Sequence, residues 1–375
     1  NDATNAGRFA YMEDLVLGGS DSYTTGIRQD TYYSGPSWNR YFNPDLTWEV
    51  GEKINLGLDL QLFNDFNLTF DIFREKRRDI FMTRENSIPE IVGTGETKIT
   101  SNNGEMENKG LDLAIDYNKQ ITKDFFLSFK STLTFARNKV LKMDEPPYFE
   151  YPGLSDVGHP LGTYWGYVAD GLFPDQETID NSPRQDLGYT PQPGDIKYVN
   201  QPNAKGEYDN VINSNDRVAI GHPYDPELVY GFGPSMKWKN WDFSFFFQGV
   251  ARTSFMMYGM HPFGTTSIKN MLQFVADDHW SVDNPNPNAA YPRLTKDSNG
   301  NNDQYSTYWL RNAAFLKLKN AEIGYTYKGM RFYLSGVNLL TFSPFKHWDP
   351  EMGGGNGLYY PTQRVFNIGF QMTIQ

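Results

Sequence analysis

The sequence predicts an all-β protein, a transmembrane antiparallel β-barrel with long extracellular loops. Three observations carry that expectation. Apolar and polar residues alternate with period two in segment after segment, the polar side of the alternation is small and uncharged in many places, and tight turns alternate with very long connections. An outer-membrane barrel combines these features, because its strands face lipid on one side and water on the other and its two rims carry loops of unequal length.

Across 54–62, Ile54, Leu56, Leu58, Leu60 and Leu62 share one face, and Asn55, Gly57, Asp59 and Gln61 share the other. After Asn64-Asp65 a second strand sets Phe66, Leu68, Phe70 and Ile72 against Asn67, Thr69 and Asp71, so the two read as a hairpin. The pattern returns at 111–117 (Leu111, Leu113, Ile115, Tyr117) and through 125–135 (Phe125, Leu127, Phe129, Leu133, Phe135). A third hairpin joins 228–238 to 241–249 around Lys239-Asn240, with Trp241, Phe243, Phe245 and Phe247 on one face. Strands at 315–327 and 331–340 flank Lys328-Gly329. The last spans 365–374, where Phe366, Ile368, Phe370, Met372 and Ile374 oppose Asn367, Gly369, Gln371 and Thr373. No amphipathic helix of useful length is legible.

A soluble sandwich with its apolar face inward also alternates. The barrel is preferred because Gly, Ser, Thr, Asn and Gln on the polar face suit a wet lumen, and because short turns at 64–65, 120–124, 239–240 and 328–329 alternate with excursions at 139–227 and 251–314. Aromatic residues make up 16% of the chain. Those at strand ends, Tyr117, Phe125, Phe126, Trp238, Trp241, Tyr325, Tyr327, Tyr359 and Tyr360, are candidates for the interfacial girdles of such a barrel.

Composition removes other classes. A net charge of -11 argues against nucleic-acid wrapping, which needs a basic stripe. With 0 Cys there are no disulfides, thiolate metal sites or Cys nucleophiles. The histidines His159, His222, His261, His279 and His347 form no HExxH, and neither a GxSxG elbow nor a Walker loop occurs. Asp144-Glu145 and Asp277-Asp278 are adjacent pairs, which point to opposite faces of a strand. The expectation is therefore a protein that is not an enzyme and carries no cofactor.

Several stretches taken together resemble the SusC/RagA family of TonB-dependent transporters: NPDLTWE at 43–49, ENKGLDL at 107–113, GYVADGLF at 166–173, PGDIKYVN at 193–200, AIGHPYDPELVYGFG at 219–233, AYPRL at 290–294, STYWLRNAAFLKLKNAEIGYT at 306–326, LSGVNLL at 334–340, WDPE at 348–351 and YYPTQRVFNIGF at 359–370. They follow the family's order along nearly the whole chain. The resemblance implies that residues 1–375 are the C-terminal part of a 22-stranded barrel, with the plug domain and N-terminal strands outside this chain. It implies a place in the outer membrane of a Gram-negative cell, in contact with its lipid, and import of oligosaccharides or peptides. It also implies a SusD-like lipoprotein as lid, and TonB–ExbB–ExbD acting through the plug. A passive porin or siderophore receptor of the same architecture, a soluble carbohydrate-binding β-protein and a secreted hydrolase are the alternatives. Family members commonly end in an aromatic residue, so one is expected to follow Gln375.

Sugar rings stack on aromatic faces, which makes Tyr164, Trp165, Tyr167, Trp309 and Trp348 the candidate substrate-binding residues. Calcium is not expected. The segment after PGDIKYV reads Asn200, Gln201, Pro202, Asn203, Ala204, Lys205, Gly206, Glu207, poor in the carboxylates a hard cation needs. DSNGNND at 297–303 lacks the distal Glu of a calcium loop and reads as a polar turn.

Overall fold

The computed structural model describes residues 9–18, 22–84, 86–89, 91, 99–259, 263–264, 267–268, 271–295 and 298–372. Nine antiparallel strands in it form one sheet in which each strand pairs with its neighbours in sequence. They are β1 (Val50–Leu62), β2 (Phe66–Arg84), β3 (Ile99–Thr122), β4 (Phe125–Lys142), β5 (Leu228–Trp238), β6 (Trp241–Ala251), β7 (Phe315–Tyr327), β8 (Met330–Phe342) and β9 (Val365–Met372). The expected residues Thr373, Ile374 and Gln375 lie outside the described residues.

Turns at 63–65, 123–124, 239–240 and 328–329 lie at one rim, and connections 85–98, 143–227, 252–314 and 343–364 at the other. The tight turns have a local cause. Phe63 (φ 55°) and Asn64 (φ 60°) are both left-handed, as are Lys328 (φ 48°) and Gly329 (φ 79°). That is the geometry of a type I′ turn, whose twist matches that of the strands it joins.

Register then separates the two faces. Leu127, Met236, Phe243, Ile323, Leu334 and Ile368 stand opposite one another across β4 to β9. One residue further along, Asn118, Ser128, Ser235, Ser244, Glu322, Ser335 and Asn367 form an unbroken polar row from β3 to β9. The apolar row is not a core: Leu334 is 53% exposed and Ile368 88%. Leu56 and Phe370, at 73% and 55%, belong to the same outward face. Apolar side chains bare over most of a sheet need lipid around them, and the polar face then lines the lumen.

Near the short-turn rim, Phe125, Trp238, Trp241, Tyr325, Phe332 and Phe370 form a further row, an aromatic belt crossing six strands. The Trp241 and Tyr325 rings are 4.8 Å apart and those of Phe332 and Phe370 5.0 Å. Three expected girdle members depart from it. Phe126 is paired with Gln120 and Lys237 on the inner face, because it directly follows an outward residue. Tyr359 and Tyr360 lie in the 343–364 connection rather than at the belt.

β2 and β3, of 19 and 24 residues, exceed the roughly 9–11 that cross a bilayer. Their far halves carry ion pairs, Arg74–Glu107 at 2.5 Å, Lys76–Glu105 at 3.0 Å and, with β1, Arg78–Glu52 at 3.0 Å. On the opposite face Glu75 pairs with Lys53 at 3.4 Å and Arg77 with Glu49 at 3.2 Å, and charges on both faces place this ribbon in water beyond the membrane.

The buried core lies in the long connections. Tyr167, Ile196, Tyr198 and Ile212 pack with Phe255, Met257, Tyr291 and Trp309 and with Phe345, joining segments 143–227, 252–314 and 343–364 into a cap. Its helices are single turns, α1 (Gln176–Asp180) and α2 (Gln273–Asp277). No described helix is long and apolar enough to cross a membrane.

Candidate functional site

The cap is held by a buried polar knot. Gly194 of the PGDIKY stretch turns left-handed (φ 89°), and a Cβ there would stand 2.2 Å from the Trp280 ring, so no larger side chain fits. The turn aims Asp195, fully buried, at Arg293 (2.7 Å), Asn299 Nδ2 (3.0 Å) and Asn302 Nδ2 (2.9 Å). Asn302 Oδ1 accepts the Ile196 N–H at 2.9 Å, and Tyr198 donates to the Asn301 carbonyl at 2.7 Å. Burial pushes the Tyr198 hydroxyl up, so it stays a donor. The asparagines of 298–303 thus bind the neighbouring loop; Asp297 lies outside the described residues. Among the described residues no group of three His, Cys, Asp or Glu could hold a metal.

Two cavities meet in the cap. The inner one, about 190 Å³, is lined by Met257, Val275, Tyr291, Arg293 and Trp309 together with Tyr258 and Tyr305. The outer one, about 210 Å³, is lined by Tyr164, Tyr224, Met256 and Tyr359 and shares the same Tyr258 and Tyr305. Tyr224, Tyr258, Tyr305 and Tyr359 are all about half exposed, so their faces and hydroxyls are open to a ligand. The Tyr164 hydroxyl is pushed up to about 12, mainly by burial. A hydrogen bond with Tyr359 raises Tyr258. Tyr164 and Tyr258 therefore stay neutral phenols, suited to stacking and hydrogen bonding rather than to proton transfer.

Of the five residues expected to bind substrate, Tyr164 lines the outer cavity and Trp309 the inner one. Trp309 is otherwise buried and donates to the Asn302 carbonyl at 2.7 Å. Trp165 donates to Asp156 at 2.6 Å and meets the His159 ring edge-on. Tyr167 is buried against Tyr198. Trp348 packs on Phe255 and Phe345 and donates to the Gly353 carbonyl at 2.9 Å. Neither cavity includes Trp165, Tyr167 or Trp348. The tyrosines that sequence reasoning missed are scattered between residues 224 and 359, and only the surplus of Tyr in the long loops hinted at them.

The outer cavity is tied to the barrel. Its wall residues Met352, Gly353 and Gly354 directly follow Asp349 and Glu351, which bind Lys317 of β7. Burial alone would raise both carboxyl groups. Hydrogen bonds from Lys317, with Thr362 on Asp349 and Lys319 on Glu351, outweigh it and hold them below their ordinary 3.8 and 4.5. A carboxylate whose pKa is lower in the folded state contributes stability above its unfolded value and loses it as pH falls through the folded one. The 343–364 segment is thus expected to keep its protease resistance at about pH 6 and to lose it progressively as pH falls below the ordinary carboxylate values, and Asp349→Asn with Glu351→Gln should remove that dependence.

Outward apolar rows, a polar lumen face, an aromatic belt and unequal rims define a transmembrane β-barrel of the outer-membrane kind with a folded extracellular cap. The family described as "TonB dependent receptor-like, beta-barrel" matches residues 8–339, and the chain belongs to that family. It is 27% identical to the TonB-dependent receptor SusC of Bacteroides thetaiotaomicron over 390 residues, covering 97% of this chain and 35% of that protein. It is 28% identical to TonB-dependent receptor P26 of Formosa agariphila over 399 residues, covering 97% and 38%. Among solved structures, the RagAB peptide importer in its open-open state superposes with a TM-score of 0.71 at 20% identity, over 98% of this chain and 38% of that one. The chain spans little more than a third of these relatives' length.

Proposed function

We propose that this chain is the C-terminal part of a larger barrel that imports oligosaccharides or peptides across the outer membrane in a TonB-dependent way. The observation that carries the reading is the unbroken polar row from Asn118 to Asn367, one residue away from a bare apolar row. It provides a wet passage beneath the tyrosine-lined cavities. β1 and β9 each pair on one side only among the described residues, and closure of such a barrel calls for further strands to cover those two edges. A SusD-like surface lipoprotein closes over the cap as a lid, and TonB–ExbB–ExbD works through the plug. The task is binding and gating rather than catalysis. Asp144 accepts the Asn86 amide at 2.8 Å and Glu145 accepts that of Asp156 at 2.9 Å, both tying loops together.

Uptake by cells carrying Tyr258→Ala with Tyr305→Ala is the direct test. Loss of two shared aromatic walls is expected to reduce uptake of the native nutrient about tenfold at unchanged outer-membrane abundance. Undiminished uptake would take the cavities out of the transport path. Growth of the deletion strain on glycans against peptides as sole nutrient separates the two substrate classes.

A further inference from the structure

Lys317 stands on the lumen face of β7, paired with Gln248 and Thr341, and its side chain is fully buried. Its ammonium reaches both Asp349 oxygens at 2.9 and 2.7 Å and also binds Glu351, while Lys319 binds Glu351 at 2.9 and 3.2 Å. Two lysines and two carboxylates leave the cluster neutral, and Thr362 adds a hydroxyl donor to Asp349. The acids belong to the 343–364 connection, which supplies Met352, Gly353, Gly354 and Tyr359 to one wall of the outer cavity. That wall is also laced to the segment carrying Met256 and Tyr258. The Gly355 N–H donates to the Met256 carbonyl at 2.8 Å and the Tyr258 N–H to the Gly355 carbonyl at 3.2 Å.

A buried ion pair is a poor device for stability alone, since apolar residues of similar volume commonly do as well. What such a pair supplies is a fixed position, because each charge is costly anywhere except beside its partner. We propose that Lys317 is a positioning residue for the outer cavity, pinning its wall to the inner face of the barrel. Any ligand that displaces the 343–364 segment must break this pin, so occupancy of the cap is felt at β7. The purpose of the pin rests on the transport reading above; its geometry does not.

Hydrogen exchange on the full-length protein in detergent tests it, with Lys317→Met and, as a variant confined to the loop, Asp349→Asn with Glu351→Gln. Each is expected to speed exchange of the Gly355 and Tyr258 amides about tenfold while the β7–β8 ladder keeps its protection, and combining them should add nothing further. Unchanged exchange at Gly355 and Tyr258 in both variants overturns the proposal. So does equal loss along β7 and β8, which would make Lys317 a general stabiliser. If Lys317→Met fails to assemble, the loop variant decides alone. Wild-type cells that import no oligosaccharide or peptide, with the exchange pattern as expected, would sink the transport reading and leave the pin standing.

Discussion

Leu334→Arg is expected to destabilise the barrel by about 1–2 kcal/mol, the cost of a charge on a lipid-facing strand one outward residue in from the aromatic belt at Phe332. Leu334 lies between Ile323 and Ile368 in the outward row and is flanked by apolar neighbours only. The neighbouring Ser335→Arg is expected to change stability by about 0.5 kcal/mol or less, since its side chain enters the wet lumen between Glu322 and Asn367. Unfolding in lipid vesicles, followed by the shift of heat-modified barrel on a gel, measures both. Equal penalties at the two positions would contradict the assignment of inside and outside on which the transport reading stands.

Asp195→Ala is the second large effect, confined to the cap. It strips a fully buried carboxylate from Arg293, Asn299 and Asn302, leaving a guanidinium that is only 17% exposed without its counter-charge. Breaking one side of a buried pair costs about 3–5 kcal/mol. Proteolysis should then cut within 143–227 and 252–314 while the barrel strands stay resistant. Arg293→Leu on the same background should restore part of the loss by removing the stranded charge, a coupling that a double-mutant cycle measures.

The strands were legible where lipid touches them. Ile54 to Leu62, Phe66 to Ile72 and Trp241 to Phe247 alternate because one neighbour is hydrocarbon and the other water, and the nine strands read from that signal are the nine of the sheet. The distal parts of β2 and β3 were not legible, because Arg74 to Asp79 and Ile99 to Lys109 stand in water on both sides and lose the alternation. Nor was the cap. Its contacts join Asp195 to Arg293 and Lys317 to Asp349 across long stretches of chain, and no local pattern announces them. Choosing aromatic residues for their stacking power found Tyr164 and Trp309 at the cavities. It did not single out Tyr258 and Tyr305, which line both cavities although nothing among their sequence neighbours marks them.

The division of the cap among three stretches of polypeptide also sets an order of events in biogenesis. Ile196, Tyr198 and Ile212 are made well before Phe255, Trp309 and Phe345, the residues that cover them. Those later residues are brought back only once the intervening hairpins have zipped together. Sequence-distant partners must wait for such closure. Until the last hairpin is in place, Ile196, Tyr198 and Ile212 therefore lack the partners that cover them.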